Sequence, residues 1–194
     1  MENFAIERVL EYDAQIAIVL GSGLSSLVQD PLREQIIPYG EIGGLPRSTV
    51  QGHLSRFVLG EICGTRVVFA QGRVHLYEGY SAHEVAAGVR FLARAGIEKL
   101  ILTNAAGSLN PDFAPGAWMM LSDHLNLTGA TPLLGEKKFV DLTNAYSPAW
   151  RARFAHSARA LGLRLPEGIY AGVLGPDLHG HGRVRHRRVD ASDR

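Results

Sequence analysis

Short apolar runs, most of them closed by glycine or a small polar residue, set the rhythm of this chain. Residues 15–20 (QIAIVL) are rich in β-branched side chains and end at Gly21, the pattern of a strand buried on both faces. Residues 98–103 (EKLILT) repeat the pattern ahead of Asn104. Arg56 to Leu59 and Arg66 to Ala70 read as a hairpin pair around Gly60 and Gly64. Gly168 to Leu174 is a further strand-like run closing at Gly175-Pro176, and Ala117 to Ser122 is a candidate for one more.

Between these runs the apolar period lengthens. Residues 2–12 carry Phe4, Ile6, Val9 and Leu10 at mostly helical spacing, which predicts a short amphipathic helix. Ser81-Ala82-His83-Glu84 pairs a serine with a glutamate three residues on, a capping box that opens a helix to about Ala95, with Gly96 as its stop. Residues 147–161 predict another helix, with Pro148 in its first turn and Gly162 past its end. Strands alternating with helices place the chain in the α/β class, without an internal repeat.

Composition adds exclusions. At 194 residues, 46% hydrophobic and 20% charged, the chain has the balance of one globular domain. Its net charge of +1 gives no strong pull toward nucleic acid or an anionic membrane. The N-terminal stretch is acidic without a long apolar run, and Ile16 to Leu20 is too short to span a bilayer, so a cytoplasmic protein is expected. The single cysteine, Cys63, cannot form an internal disulfide and reads as a small residue near a turn. One break stands out: residues 177–194 hold five arginines, three aspartates and three histidines, without an aromatic or an apolar period. The expected organisation is therefore a domain over 1–176 and an unrelated basic tail over 177–194.

Candidate chemistry gathers where predicted strands end. Ligands of α/β proteins collect at the carboxyl edge of the sheet, and three strands here run into Gly21-Ser22-Gly23, Gln71-Gly72-Arg73 and Asn104-Ala105-Ala106-Gly107. Small residues let backbone amides approach an anion. In an extended reading of residues 73–78, Arg73, His75 and Tyr77 share one face, opposite Val74 and Leu76. Arginine offers a planar fork for phosphate, histidine a second donor, and tyrosine a flat wall with a hydroxyl. Each triplet also fits a plain turn, and a solvated strand would carry the same charges. Asp123-His124 are adjacent and would face apart on a strand, and no Cys/His cluster has zinc spacing, so no metal is expected. The residues support an anion pocket of Ser22, Arg73 and His75 without naming its substrate.

Taken together and in order, these segments resemble the trimeric purine nucleoside phosphorylases. The stretches are Gly21-Ser22-Gly23-Leu24, then Pro46 through His53 (PRSTVQGH), then Gln71 through Tyr80 (QGRVHLYEGY). Thr103 through Asn110 (TNAAGSLN), Asp123-His124-Leu125-Asn126 and Asn144-Ala145-Tyr146 complete the series. The resemblance implies a central mixed β-sheet surrounded by helices, incomplete at its C-terminal end. It implies attack of inorganic phosphate, a co-substrate, on C1′ of a purine ribo- or 2′-deoxyribonucleoside, with inversion and without cofactor or metal. Carried over by position, Ser22, His53, Arg73, His75 and the Ala105 amide would bind phosphate, Arg73 and His75 being the catalytic pair. Tyr77, Ala105, Ala106 and Gly107 would line the nucleoside pocket, Glu78 would orient Arg73 or its neighbours, and Phe139 would cover the ribose of a neighbouring subunit in a homotrimer.

The resemblance covers residues 1–176 and then departs. After Gly-Pro the family carries an aromatic-Glu-Thr motif whose glutamate reads the purine; Leu178, His179 and Gly180 stand there instead. The later asparagine that contacts N7 of the purine has no counterpart. A reading-frame change near Asp177 and weak or absent phosphorolysis are the resulting expectations. Methylthioadenosine phosphorylase and a non-catalytic phosphate-binding remnant are the rival readings.

Overall fold

The computed structural model describes residues 2–28, 32, 35–49, 54–137 and 139–175. Two compact units divide the chain, Met1–Ala106 and Gly107–Arg194.

The first unit is built on a five-stranded mixed sheet. Its strands are β1 (Ile16–Leu20), β2 (Ile36–Pro38), β3 (Arg56–Ile62), β4 (Thr65–Gln71) and β5 (Lys99–Leu102), in spatial order β2-β3-β4-β1-β5. β2, β3 and β4 pair antiparallel, whereas β1 lies parallel between β4 and β5. The β3–β4 hairpin is longer than its sequence pattern suggests. Gly60 lies within β3, packed beneath the Phe69 ring, and the turn is Cys63-Gly64, since Ile62 pairs directly with Thr65. Both turn residues have positive φ (49° and 75°), as a two-residue type I′ turn requires, and the small exposed Cys63 occupies one of them.

Helix α1 (Glu2–Tyr12) buries Ala5 and Val9 and leaves Phe4 and Leu10 exposed, so its packed stripe is narrower than the four-residue pattern predicted. The predicted helix from Ser81 divides into α2 (Ala82–Val85) and α3 (Ala87–Arg94), because Ala86 sits at ψ −4°, too shallow to continue the α-helical ladder. Its capping box and its glycine stop both form. Gly96 has φ 81°, Gly96 N–H donates to Ala93 O, and Ile97 N–H donates to Leu92 O, a Schellman closure. Phe91 of α3 stacks on Phe57 of β3 at 5.1 Å, and Tyr39 tilts against the same ring at 4.7 Å. This aromatic column anchors the larger hydrophobic cluster.

The second unit contains β6 (Met120–Asn126), α4 (Pro148–Ala160) and β7 (Glu167–Gly172), the strands pairing parallel with an irregularity between Leu121 and Asp123. β6 starts three residues later than its apolar pattern, because Pro115-Gly116 forms a turn (Gly116 φ 82°, Ala117 N–H to Ala114 O). Helix α4 has the predicted Pro148 start and Gly162 stop, and Ser147, expected as its first residue, instead caps it, accepting from Trp150 N–H. Among the described residues, no helix is long and apolar enough to cross a membrane.

Candidate active site

β4, β1 and β5 are parallel neighbours, so their carboxyl ends open on one edge of the sheet, each about 4.8 Å from the next. The loops that follow carry Ser22, Arg73 and Ala105 respectively after β1, β4 and β5. Chain connectivity alone therefore brings together residues far apart in sequence.

The loop after β1 is a tight turn. Leu24 N–H donates to Gly21 O, and Gly23 adopts φ 84°, leaving Ser22 exposed at the turn's tip. Gly21 itself is buried. A Cβ there would lie 2.7 Å from Thr103 O and 2.9 Å from Asn104 Cα, so only glycine lets this turn lie against the loop after β5. Gly21 N–H donates to Thr103 Oγ1 at 2.8 Å, and that hydroxyl donates onward to Val19 O at 2.8 Å.

The loop after β4 starts at Gly72, φ 111°, and turns into Arg73. Arg73 reaches across the end of β1 and donates from Nη1 to Thr103 O at 2.7 Å, on the far neighbour strand's loop. A single guanidinium thus spans the whole three-strand edge. Residues 73–78 are not extended throughout, as the alternation had predicted. Val74 is buried, but Leu76–Glu78 forms a 3-10 turn closed by Gly79 at φ 92°. His75 and Tyr77 still share a side: their rings stack at 4.7 Å with 15° between planes, Tyr77 half exposed.

Glu78 organises this turn. Its side chain is only 3% exposed. Oε1 accepts from His75 N–H at 2.8 Å and pairs with His75 Nδ1 at 2.9 Å. Oε2 accepts from Ser48 Oγ (3.1 Å), Thr49 N–H (2.8 Å) and Thr49 Oγ1 (2.9 Å). Burial alone would push this carboxyl up, but the hydrogen bonds from Thr49 and His75 outweigh it and hold it at about 2. Glu78 is thus a carboxylate that only accepts, so His75 Nδ1 must donate to it, which orients the ring. It holds His75, two residues from Arg73, in keeping with the orienting role the resemblance implies, and ties the Ser48-Thr49 loop to the same turn. Tyr80 reinforces that tie by donating from its hydroxyl to Arg47 O at 2.7 Å.

After β5, Ala105 and Ala106 are exposed, and the Ala105 amide donates to none of the described groups. Asn104 donates from Nδ2 to Ala105 O at 3.2 Å, the local turn contact its type favours. In the second unit, Gly107 is exposed and Phe139 is wholly so, at 108%. His124 lies edge-on to Tyr146 at 5.7 Å. His53 and the tail from 177 onward lie outside the described residues.

Two buried polar side chains behind the edge escaped the sequence reading. Tyr39 donates from its hydroxyl to Gly72 O at 2.8 Å, and Gln71, 1% exposed, bonds both Arg56 and Ser25. The Gln71-Gly72-Arg73 triplet drew attention only through its arginine.

Comparison with known proteins places the chain in a family. The family model described as the Phosphorylase superfamily matches residues 15–188, past the composition break at 177. Purine nucleoside phosphorylase 1 of Geobacillus stearothermophilus is 39% identical over 206 residues, covering 100% of this chain and 75% of that protein. The purine nucleoside phosphorylase of Mus musculus is 40% identical, covering 87% of this chain and 62% of the mouse protein. Among solved structures, isoform 2 of purine nucleoside phosphorylase from Schistosoma mansoni, in complex with cytosine and ribose-1-phosphate, superposes with a TM-score of 0.81 at 30% identity. It covers 93% of this chain and 70% of its own. A second Schistosoma mansoni structure, in complex with BCX-34, gives 0.79 at 30% identity, covering 94% and 74%.

Proposed function

We propose that this chain, which belongs to the purine nucleoside phosphorylases of the Phosphorylase superfamily, transfers the ribosyl or 2-deoxyribosyl group of a purine nucleoside to inorganic phosphate. A phosphate oxygen bonds to C1′ as the bond from C1′ to the purine nitrogen breaks. The electron pair of that bond leaves with the base, and ribose 1-phosphate remains. Positive charge builds on the sugar ring as the bond lengthens, so a phosphate dianion held beside C1′ stabilises the transition state more than the substrate.

The edge residues divide this work. Arg73 supplies a planar guanidinium whose bond to Thr103 O sets its orientation. His75, with Nδ1 committed to Glu78, presents Nε2 as a donor to the anion when protonated. Ser22 and the Ala105 amide add neutral donors, and His53 joins them by its position in the matched motif. Tyr77, stacked on His75, offers its half-exposed ring and hydroxyl to the ribose. Ala105, Ala106 and Gly107 line the nucleoside side. Phe139, fully exposed, covers the ribose bound to a neighbouring copy in a trimer. Phosphate enters as co-substrate, and the chemistry draws on no separate cofactor.

The observation that carries this reading is the hydrogen bond from the Arg73 guanidinium to Thr103 O, which bridges the loop after β4 to the loop after β5. The test is release of hypoxanthine from inosine with and without phosphate, for the unmodified chain and Arg73→Ala. Turnover is expected to be weak, to depend on phosphate, and to fall on the order of 100-fold in the variant, the scale of losing a charged contact in the transition state. Turnover independent of phosphate, or unaffected by Arg73→Ala, would overturn the assignment. Methylthioadenosine, offered in competition, is expected to be the poorer substrate.

A further inference from the structure

We infer that Tyr39 and Gln71, two buried polar side chains behind the sheet edge, are positioning residues that set the phosphate-binding loops in place. The inference rests on the phosphate-site reading above, and neither side chain belongs to the proposed ligand set.

Tyr39 follows β2 and is 6% exposed, its ring tilted on Phe57 within the core. Its backbone N–H donates to Ser55 O at 2.9 Å, so the residue is fixed at both ends. The hydroxyl donates to the carbonyl of Gly72 at 2.8 Å. Burial pushes the phenol's pKa up, which keeps it a donor across the physiological range. Gly72 is buried and holds φ 111°, and its carbonyl belongs to the peptide that leads into Arg73. Rotation of that peptide plane would swing the whole Arg73 side chain. The Tyr39 hydroxyl prevents that rotation by holding its oxygen.

Gln71 is the last residue of β4 and pairs in register with Leu20 on one side and Arg56 on the other. Its Oε1 accepts from Arg56 Nε at 2.7 Å, and its Nε2 donates to Ser25 O at 3.0 Å. Ser25 opens the 3-10 turn that directly follows the Ser22 loop. One amide therefore needs both its acceptor and its donor, a demand that neither a carboxylate nor an apolar side chain meets. Through it, the loop after β1 is tied to the strand that carries Arg73.

The test compares Tyr39→Phe and Gln71→Glu with the unmodified chain. Tyr39→Phe removes one oxygen atom without opening a cavity. Gln71→Glu keeps the acceptor for Arg56 and replaces the donor to Ser25 with a second acceptor. Each variant is expected to raise KM for phosphate on the order of 10-fold, the scale of leaving one buried carbonyl unsatisfied, while KM for inosine stays within about twofold. The phosphate concentration giving half-maximal thermal stabilisation should rise in parallel, and that readout holds even if turnover is slow. Equal rises in both KM values, or a lowered Tm with phosphate affinity unchanged, would make these residues structural only and end the proposal. If the unmodified chain itself binds no phosphate, the phosphate-site reading and this inference fall together. If it binds phosphate and both variants bind it equally well, this inference alone falls.

Discussion

The two units of the chain use their apolar residues in opposite ways. Residues up to 106 bury two continuous clusters, with Phe57, Phe91, Ile37, Val68 and Leu92 almost wholly removed from water. Among the described residues of the second unit, Ala158 alone reaches that class, whereas Trp118, Leu134, Phe139 and Leu163 are exposed. Its strands form a two-stranded sheet, an arrangement that contributes little stability alone. Several of its side-chain hydrogen bonds stay within one turn, as where Asp141 accepts from Thr143 or Asn126 from Thr128, although Arg151 pairs with Glu167 and Ser122 reaches Gly168 O. The proposed phosphate loops therefore grow from the well-packed unit. Their geometry is held by strand register and buried polar ties, while the residues assigned to sugar contact in the second unit have no such support.

The strongest way to break this contrast is to hollow the column behind the edge. Phe91 is 0% exposed and stacks on Phe57, which in turn carries Tyr39. Phe91→Ala is expected to lower unfolding stability by ~3–5 kcal/mol, the range for deleting a buried phenyl ring. Urea denaturation checks this against Phe154→Ala in α4, whose ring is 39% exposed and whose loss should cost well under half as much. Equal losses at the two positions would refute the difference in packing.

An intermediate effect sharpens the comparison at Glu78. Its carboxyl sits at about 2 in the folded chain, against an ordinary value of 4.5, so the folded state holds its proton less tightly than the unfolded state. The stabilisation is fully present above the ordinary value and is lost as pH falls through the interval down to about 2. Glu78→Gln should flatten the pH dependence of unfolding in that interval and cost ~1–3 kcal/mol near neutral pH, the range for disturbing a buried hydrogen-bonded group. Denaturation curves collected from neutral to strongly acidic pH would show it. An unchanged slope would mean that the ties to Thr49 and His75 contribute nothing to folding.

How much of this was legible beforehand follows the same divide. β1 is legible because a parallel strand flanked on both sides is apolar throughout; β5 has the same apolar run but closes the edge of the sheet, with Leu100 and Leu102 exposed, so it is not the doubly buried strand its pattern predicts. The cap at Ser81 and the glycine stops at Gly96 and Gly162 are local chemistry that tertiary context leaves alone. The apolar pattern places the start of β6 too early, because Pro115-Gly116 forms the turn that displaces it. β2 has three residues and carries no period to detect. At the proposed site, Ser22, Arg73 and His75 stand out in the sequence because glycine and charge mark strand ends, whereas Ala105 enters only through the resemblance. Tyr39 and Gln71 do neither, since a polar residue embedded in apolar sequence declares its role only through distant partners. Alternation misled at Leu76–Glu78, where a carboxylate that caps its own turn outweighs the extended pattern.

The smallest expected change in stability is at Phe139, and it tests the second unit most directly. A side chain exposed to 108% loses almost nothing on truncation, so Phe139→Ala should leave unfolding stability within about 0.5 kcal/mol. A large apolar ring left wholly in water is nevertheless an unusual feature unless another surface covers it. If that surface is the sugar of a nucleoside bound to a neighbouring copy, the substitution raises KM for inosine several-fold and leaves KM for phosphate unchanged. This is the mirror image of the split expected for Tyr39→Phe. Light scattering at the assay concentration supplies the second arm, since the effect on inosine requires an assembly of more than one chain. A monomer whose inosine KM responds to Phe139→Ala would place the ring within its own site, and an assembly whose KM does not respond would remove Phe139 from the nucleoside pocket.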